Sequence, residues 1–189
     1  GDDVCFVCEG RIGLECAVAF VQALKGKTNE VDKEGYAACA GVAIVHQKYP
    51  FYRAYELAEQ LCSNAKRFGV NLDNESGSKI SSIDWHIEYG EMKDSLDEIR
   101  ENYRTADGNR LELRPYIIAG PDEVIRKEPY RRYGNFRRII ENIGTHELEY
   151  SRIRLKELRI ALKKGEDATQ HYIRFHRIEG IARDCYQGV

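Results

Sequence analysis

Two adjacent carboxylates open the chain, in the stretch GDDVCFVCEG, and lead straight into an apolar run. Ionised aspartate is costly where burial begins, so a pair there invites a chemical explanation. Successive strand residues point to opposite faces, yet at a tight hairpin tip Asp2 and Asp3 could both reach one divalent ion. Mg²⁺ suits such a site, because it takes one or two carboxylates, keeps several waters and completes its shell with substrate phosphates. Gly1 ahead of them leaves room for backbone to approach a ligand. The plainer reading is that the two acids solvate a terminus, and on these residues alone that reading is the stronger.

Other reactive groupings are weaker. Cys5 and Cys8 have CxxC spacing, but in a strand their sulfurs face opposite sides, and a structural zinc site wants four ligands. His171 and His176 are five residues apart, which is wrong for one helix face. His86 stands between Asp84 and Glu88 in an alternating stretch and reads as a surface histidine. The segment YRRYGNFRR interleaves aromatics with arginines, as single-strand nucleic-acid surfaces do; a helix junction with ordinary surface arginines is the stronger reading.

The elements that must position these residues follow from periodicity. Asp3 to Glu9 alternates and is rich in β-branched and aromatic residues, which predicts a strand. RIGLECAVAFVQALKGK has helical spacing and closes at Gly26. GYAACAGVAIVHQ is a continuous small-apolar run, which predicts a strand covered on both faces. KYPFYRAYELAEQLCSNAKRFGVN is a helix opened by Pro50, with Gly69 as its stop and NLDNESGSK as a polar loop after it. ISSIDWHIEYG predicts a half-solvated strand, EMKDSLDEIRENYRT a charged helix, and DGNRLELRPYIIAG a turn and a strand ending near Ala119. Beyond it lie only helices, broken at Pro129 and Gly134, restarted near Thr145 and ended at Gly165, with one or two more to follow.

That order predicts an α+β domain followed by a helical tail. Net charge is −2, but residues 1–124 balance at −8 and residues 125–189 at +6. The back is thus a basic segment on an acidic body, which reads either as a partner surface or as solvated helix faces. No apolar run is long enough to cross a bilayer, and no signal-peptide pattern is visible. The six cysteines are expected to be reduced, buried thiols of a cytoplasmic protein.

CAGVAIVHQ and YELAEQLCSNAKRFGVN resemble the palm domain of diguanylate cyclases, the GGDEF family. Members of that family carry a Gly-Val-Ala strand and then a helix ending in Ala-Lys-x-x-Gly-Arg-Asn. Here Gly41, Val42 and Ala43 match the strand, and Ala65, Lys66, Gly69 and Asn71 match the helix end. YPFYRAYELAEQLCSNAK, IDWHIEYGE, DGNRLELRPYIIAG and SRIRLKELRIAL are more similar still to the second palm domain of the CRISPR type III effector large subunit. That cyclic-oligoadenylate-synthesising relative carries Gly-Gly-Asp-Asp on a hairpin, and GDDVCFV is similar to its downstream half. The resemblance extends to about Gly165.

The resemblance implies a partial ferredoxin-like palm sheet with helices on one face over residues 1–120, and a basic helical extension packed on it over residues 121–189. It implies Asp2 and Asp3 as catalytic, metal-binding acids for Mg²⁺ or Mn²⁺, and Lys66 and Gly41 as nucleotide-binding residues. The substrate would be a nucleoside triphosphate, ATP among the candidates, condensed into a cyclic or oligomeric nucleotide. RNA or other subunits of an effector complex are implied partners; no membrane is. Val70 replaces the arginine of the diguanylate cyclase pattern, which removes one phosphate contact and leaves a non-catalytic scaffold as the alternative.

In the family, a central strand bearing a further acid precedes the Asp pair. The chain is therefore expected to be part of a longer protein and inactive alone. Its opening strand is expected to pair directly with CAGVAIV, or the exposed sheet edge to be filled by the rest of the chain or a second copy.

Overall fold

The computed structural model describes residues 3–28, 30, 35–76, 79–90, 95–145 and 151–178. The chain divides into two compact units, one of Gly1–Leu96 with Arg114–Lys127, the other of Asp97–Leu113 with Glu128–Val189. The α+β class read from the sequence holds.

The first unit is built around a parallel β-α-β element: β1 (Cys39–Ile44), α2 (Phe51–Ser76) and β2 (Ser81–Ile87). Such a pair needs a crossover, and the long amphipathic helix supplies it. β1 runs parallel to β2 with Gly41 opposite Asp84 and Val42 opposite Trp85. β3 (Tyr116–Ala119) adds antiparallel to β2, with Ser82 opposite Ile117, so the order is β1-β2-β3. Before them comes α1 (Gly13–Ala23), which buries Ala17, Val18 and Val21 and is followed by Gly26 in the left-handed region (φ 79°).

Neighbouring strand residues face opposite ways, and β1 shows what covers each side. A Cβ on Gly41 would overlap the Ala58 carbonyl oxygen and the Cys62 backbone nitrogen of α2. A Cβ on Gly13, the first residue of α1, would lie 3.8 Å from Cγ1 of Val42. α2 and α1 therefore sit on opposite faces of the sheet, where the sequence reading put the helices on one.

Several expectations change. Residues 3–9 form no strand and are exposed, Val7 by 77%. Alternation alone cannot hold a strand without a neighbour for its N–H and C=O groups, and β1 is laddered to β2, not to this segment. The thiols of Cys5 and Cys8 are accordingly exposed rather than buried, and Cys16, Cys39 and Cys62 are half-buried; all five are free. α2 runs through Gly69 to Ser76. Gly69 is there for clearance, since a Cβ on it would come within 3.3 Å of the Ile80 carbonyl oxygen.

β2 is not half-solvated. Ser81 to His86 are all buried, and Ser82 and Asp84 face α2. Ser82 Oγ donates to the Ala65 carbonyl (2.8 Å). The Asp84 carboxylate accepts from Asn64 Nδ2 (2.7 Å) and from the Trp85 backbone N–H (2.9 Å). His86, read as a surface residue, is enclosed beside the equally enclosed Glu88 carboxylate at 3.6 Å. On the other face Trp85 stacks on Tyr116 with ring centroids 5.3 Å apart, and the Arg114 guanidinium lies over it. Leu61 and Ile83, both at 0% exposure, each contribute about 1.5–3 kcal/mol by burial. α4 (Asp122–Lys127) closes the unit by packing Val124 with Ile80 and Ile117.

In the second unit, α3 (Leu96–Glu101) starts from the boundary and is shorter than the charged helix expected. A turn through Gly108 (φ 82°) pairs Arg104 with Arg110. Pro129 opens a single 3₁₀ turn and then α5 (Tyr133–Thr145) runs on, with Gly134 inside it rather than breaking it. Thr145 thus ends a helix instead of starting one. α6 (Arg152–Lys164) begins at Ser151, whose Oγ accepts from the Arg154 N–H. Gly165 (φ 110°) ends it, and α7 (Glu166–His176) follows at once. The Ala106 N–H satisfies the Lys163 carbonyl at 2.9 Å, one of the acceptors a helix end leaves open. No helix among the described residues is long and apolar enough to cross a membrane.

Candidate functional site

Of the predicted site residues, Lys66 lies on α2, on a stripe of that helix shared with Cys62, Glu59 and Tyr55 along the same side. Tyr55, Glu59, Cys62 and Lys66 are spaced i, i+4, i+7, i+11, which puts them on one helix face. α2 holds that face in register because Leu57, Leu61 and Ala65 are buried against the sheet. The Cys62 thiol is the common point. It donates to the Cys39 carbonyl at 3.4 Å. Burial first, then Cys39, then the Asp3 carboxylate push it above its ordinary value of 9.0; Lys66 and the Gly41 backbone pull it back. Asp3, Lys66 and Gly41 thus all contribute to the direction in which that thiol shifts.

The same segment reaches further along the helix. Tyr55 is pushed up mainly by its hydrogen bond to Glu59, with smaller contributions from Cys5 and Asp3. Asp3 itself is exposed. Asp2 lies outside the described residues. Gly41, expected from the resemblance to bind nucleotide, has its side-chain space filled by the α2 backbone, so its packing role is explicit. Val70, in place of the pattern's arginine, is 47% exposed and offers no charge.

Asp3 is the one expected metal ligand among the described residues, and its carboxylate is the type of donor a hard cation takes. A carboxylate open to solvent supplies oxygen ligands, and Mg²⁺ or Mn²⁺ would draw the rest from phosphate and water. No group of three or more metal-ligating side chains is found among the described residues. Lys66 is exposed on the second-last turn of the matching segment and adds a compact positive charge.

Two residues of this site were silent in the sequence. Cys62 reads as an ordinary filler of an apolar stripe, and Glu59 as a solvated acid. Their helical offset from Lys66 is the signal that groups them. The CxxC pair takes a different course: slight desolvation and then Cys16 push the exposed Cys8 thiol up, and its sulfur lies beside Gly13 at the start of α1.

A search of curated proteins finds no match to the chain. The front of the chain gives the positive result. Over residues 1–71, which include the Asp pair, β1, Gly41 and Lys66, the sequence matches the family model described as Cas10/Cmr2, second palm domain, and is similar to it there.

Proposed function

We propose that the chain carries residues of a palm-type nucleotidyl-transfer site that takes a metal-chelated nucleoside triphosphate, ATP first among the candidates. The reading is supported by the family match over residues 1–71, which takes in Asp2, Asp3, Gly41 and Lys66. Asp2 and Asp3 would hold Mg²⁺ or Mn²⁺. Bound there, the metal neutralises phosphate charge and favours in-line attack on the α-phosphate. Lys66 attracts the triphosphate oxygens from a helix whose buried stripe fixes its base. Gly41 brings α2 close to β1, which sets how far Lys66 stands from the Asp segment. The product is a cyclic or oligomeric nucleotide, made in the setting of a multi-subunit effector complex with RNA at hand.

A second reading, a palm that keeps its shape as a scaffold without chemistry, is favoured by one observation: exposed Val70 stands where a phosphate-contacting arginine would be. ATP titration in the presence of Mn²⁺ separates the two. On the site reading the chain binds, and Lys66→Ala weakens binding about tenfold, as loss of a charge-assisted contact should. Unchanged affinity in Lys66→Ala, or no nucleotide binding, would leave the scaffold. Turnover of ATP to a cyclic or oligomeric product, abolished by Asp3→Ala, would establish the chemistry.

A further inference from the structure

The second unit carries a surface that the palm reading does not use. α6 and α7 enclose an open groove of ≈ 500 Å³, lined among others by Ile160, Lys164, His171, Tyr172, Phe175 and His176. Its rings form one connected cluster. His171 stacks on Phe175 with centroids 6.4 Å apart, Phe175 meets His176 edge-on at 4.9 Å, and Tyr172 lies 4.3 Å from His176. The cluster faces water. Phe175 is 73% exposed and Ile160 56%.

The charge of the hairpin that carries the groove is one-sided. Residues 151–178 carry eight Lys or Arg against three Asp or Glu, a balance of +5. The three acids are already engaged. Glu157 accepts from the Tyr172 hydroxyl at 2.9 Å, and Glu166 and Asp167 occupy the first turn of α7, where they offset the helix dipole. Lys164 is the cation in the groove lining itself, and the hairpin that presents the exposed Phe175 ring is cationic overall. A second copy of this hairpin would meet it with like charge, which costs association energy. A flat base stacks on a ring while its phosphates follow the cations, and a single strand presents both in repeated form along an extended surface.

We propose that the α6–α7 hairpin binds single-stranded nucleic acid, with bases stacked on the Phe175 cluster and the backbone along the basic flanks. The inference rests on the second unit only and stands or falls independently of nucleotide binding at Lys66.

Fluorescence anisotropy of the full chain with a labelled 12-nucleotide oligouridylate tests it. The affinity should fall with salt, with a log–log slope of about −3 if about four phosphates are engaged. Phe175→Ala should weaken binding about tenfold with the slope unchanged, and Phe175→Tyr should restore it. Lys163→Ala combined with Lys164→Ala should reduce the slope by about one. A duplex of the same length should bind at least about fivefold more weakly, because its base faces are covered. Circular dichroism should be unaltered by the exposed Phe175→Ala change. The proposal is overturned by absent binding, by equal affinity for duplex, by full competition from inorganic polyphosphate, or by unchanged affinity in Phe175→Ala. It is also overturned if sedimentation shows a dimer that Phe175→Ala dissolves, since the groove would then be a self-contact.

Discussion

Cys62 is a built-in reporter of the charges around it. Its thiol is held above 9.0 by burial, Cys39 and Asp3, and Lys66 opposes them. Only the thiolate is alkylated, so Asp3→Asn should speed iodoacetamide labelling of the Cys62 peptide at pH 8 and Lys66→Ala should slow it, as read by mass spectrometry. Rates that ignore both changes would mean that Asp3 and Lys66 do not converge there. The same shift has a consequence for stability. A pKa raised in the folded state means the fold holds the proton more tightly, so the contribution is full below 9.0 and is lost as pH rises past it. Urea midpoints taken from pH 7 to pH 10 should decline at the alkaline end, and Cys62→Ala should flatten that decline. At this scale the sequence was partly transparent. The similarity of residues 1–71 to the second palm domain was legible, because the types and order of Asp2, Asp3, Gly41 and Lys66 fit a motif. Cys62 was not, since a thiol in an apolar stripe looks like packing until the strand beneath it is known. His86 was misread for the converse reason: alternation marks two faces but does not say whether a helix covers the polar one.

Elements were legible where periodicity is long and opaque where a partner decides. α2 was plain from its apolar stripe, and its end was misjudged because a glycine can mark a close approach as well as a stop. The opening stretch has every local feature of a strand and is none, because no ladder partner lies beside it among the described residues. β2 shows that a polar face can be buried when Asn64 and the Ala65 carbonyl answer its side chains. The contact between β1 and α2 is the sharpest test of this packing. Gly41→Ala must push the α2 backbone away, because the added methyl meets the Ala58 carbonyl and the Cys62 nitrogen rather than a flexible side chain. The expected loss is about 1–3 kcal/mol in urea unfolding, with weaker nucleotide binding as Lys66 is displaced. A neutral outcome would show that α2 can slide without cost and that Gly41 is not what sets the spacing.

The two units are interleaved along the chain, which no composition or charge count could reveal. The break in charge near residue 124 marks where the helices turn basic, whereas the contact boundary passes through Leu96, Leu113 and Lys127. The first unit therefore recruits β3 and α4 from beyond a segment that belongs to the second. A truncated chain ending at Leu96 keeps β1, α2 and β2 but lacks β3. It should unfold over a broader urea range than the full chain and bind a hydrophobic dye; a sharp transition matching the full chain would show that β3 is dispensable. The order of synthesis carries the same constraint. As the nascent chain leaves the ribosome, β2 emerges with one flank bare and stays so until Tyr116–Ala119 arrives. During that interval its buried row of serine, aspartate and histidine borders an open backbone edge, the feature that invites mispairing with neighbouring chains. Translation speed between Ile87 and Ala119 is thus a quantity on which the yield of folded protein depends.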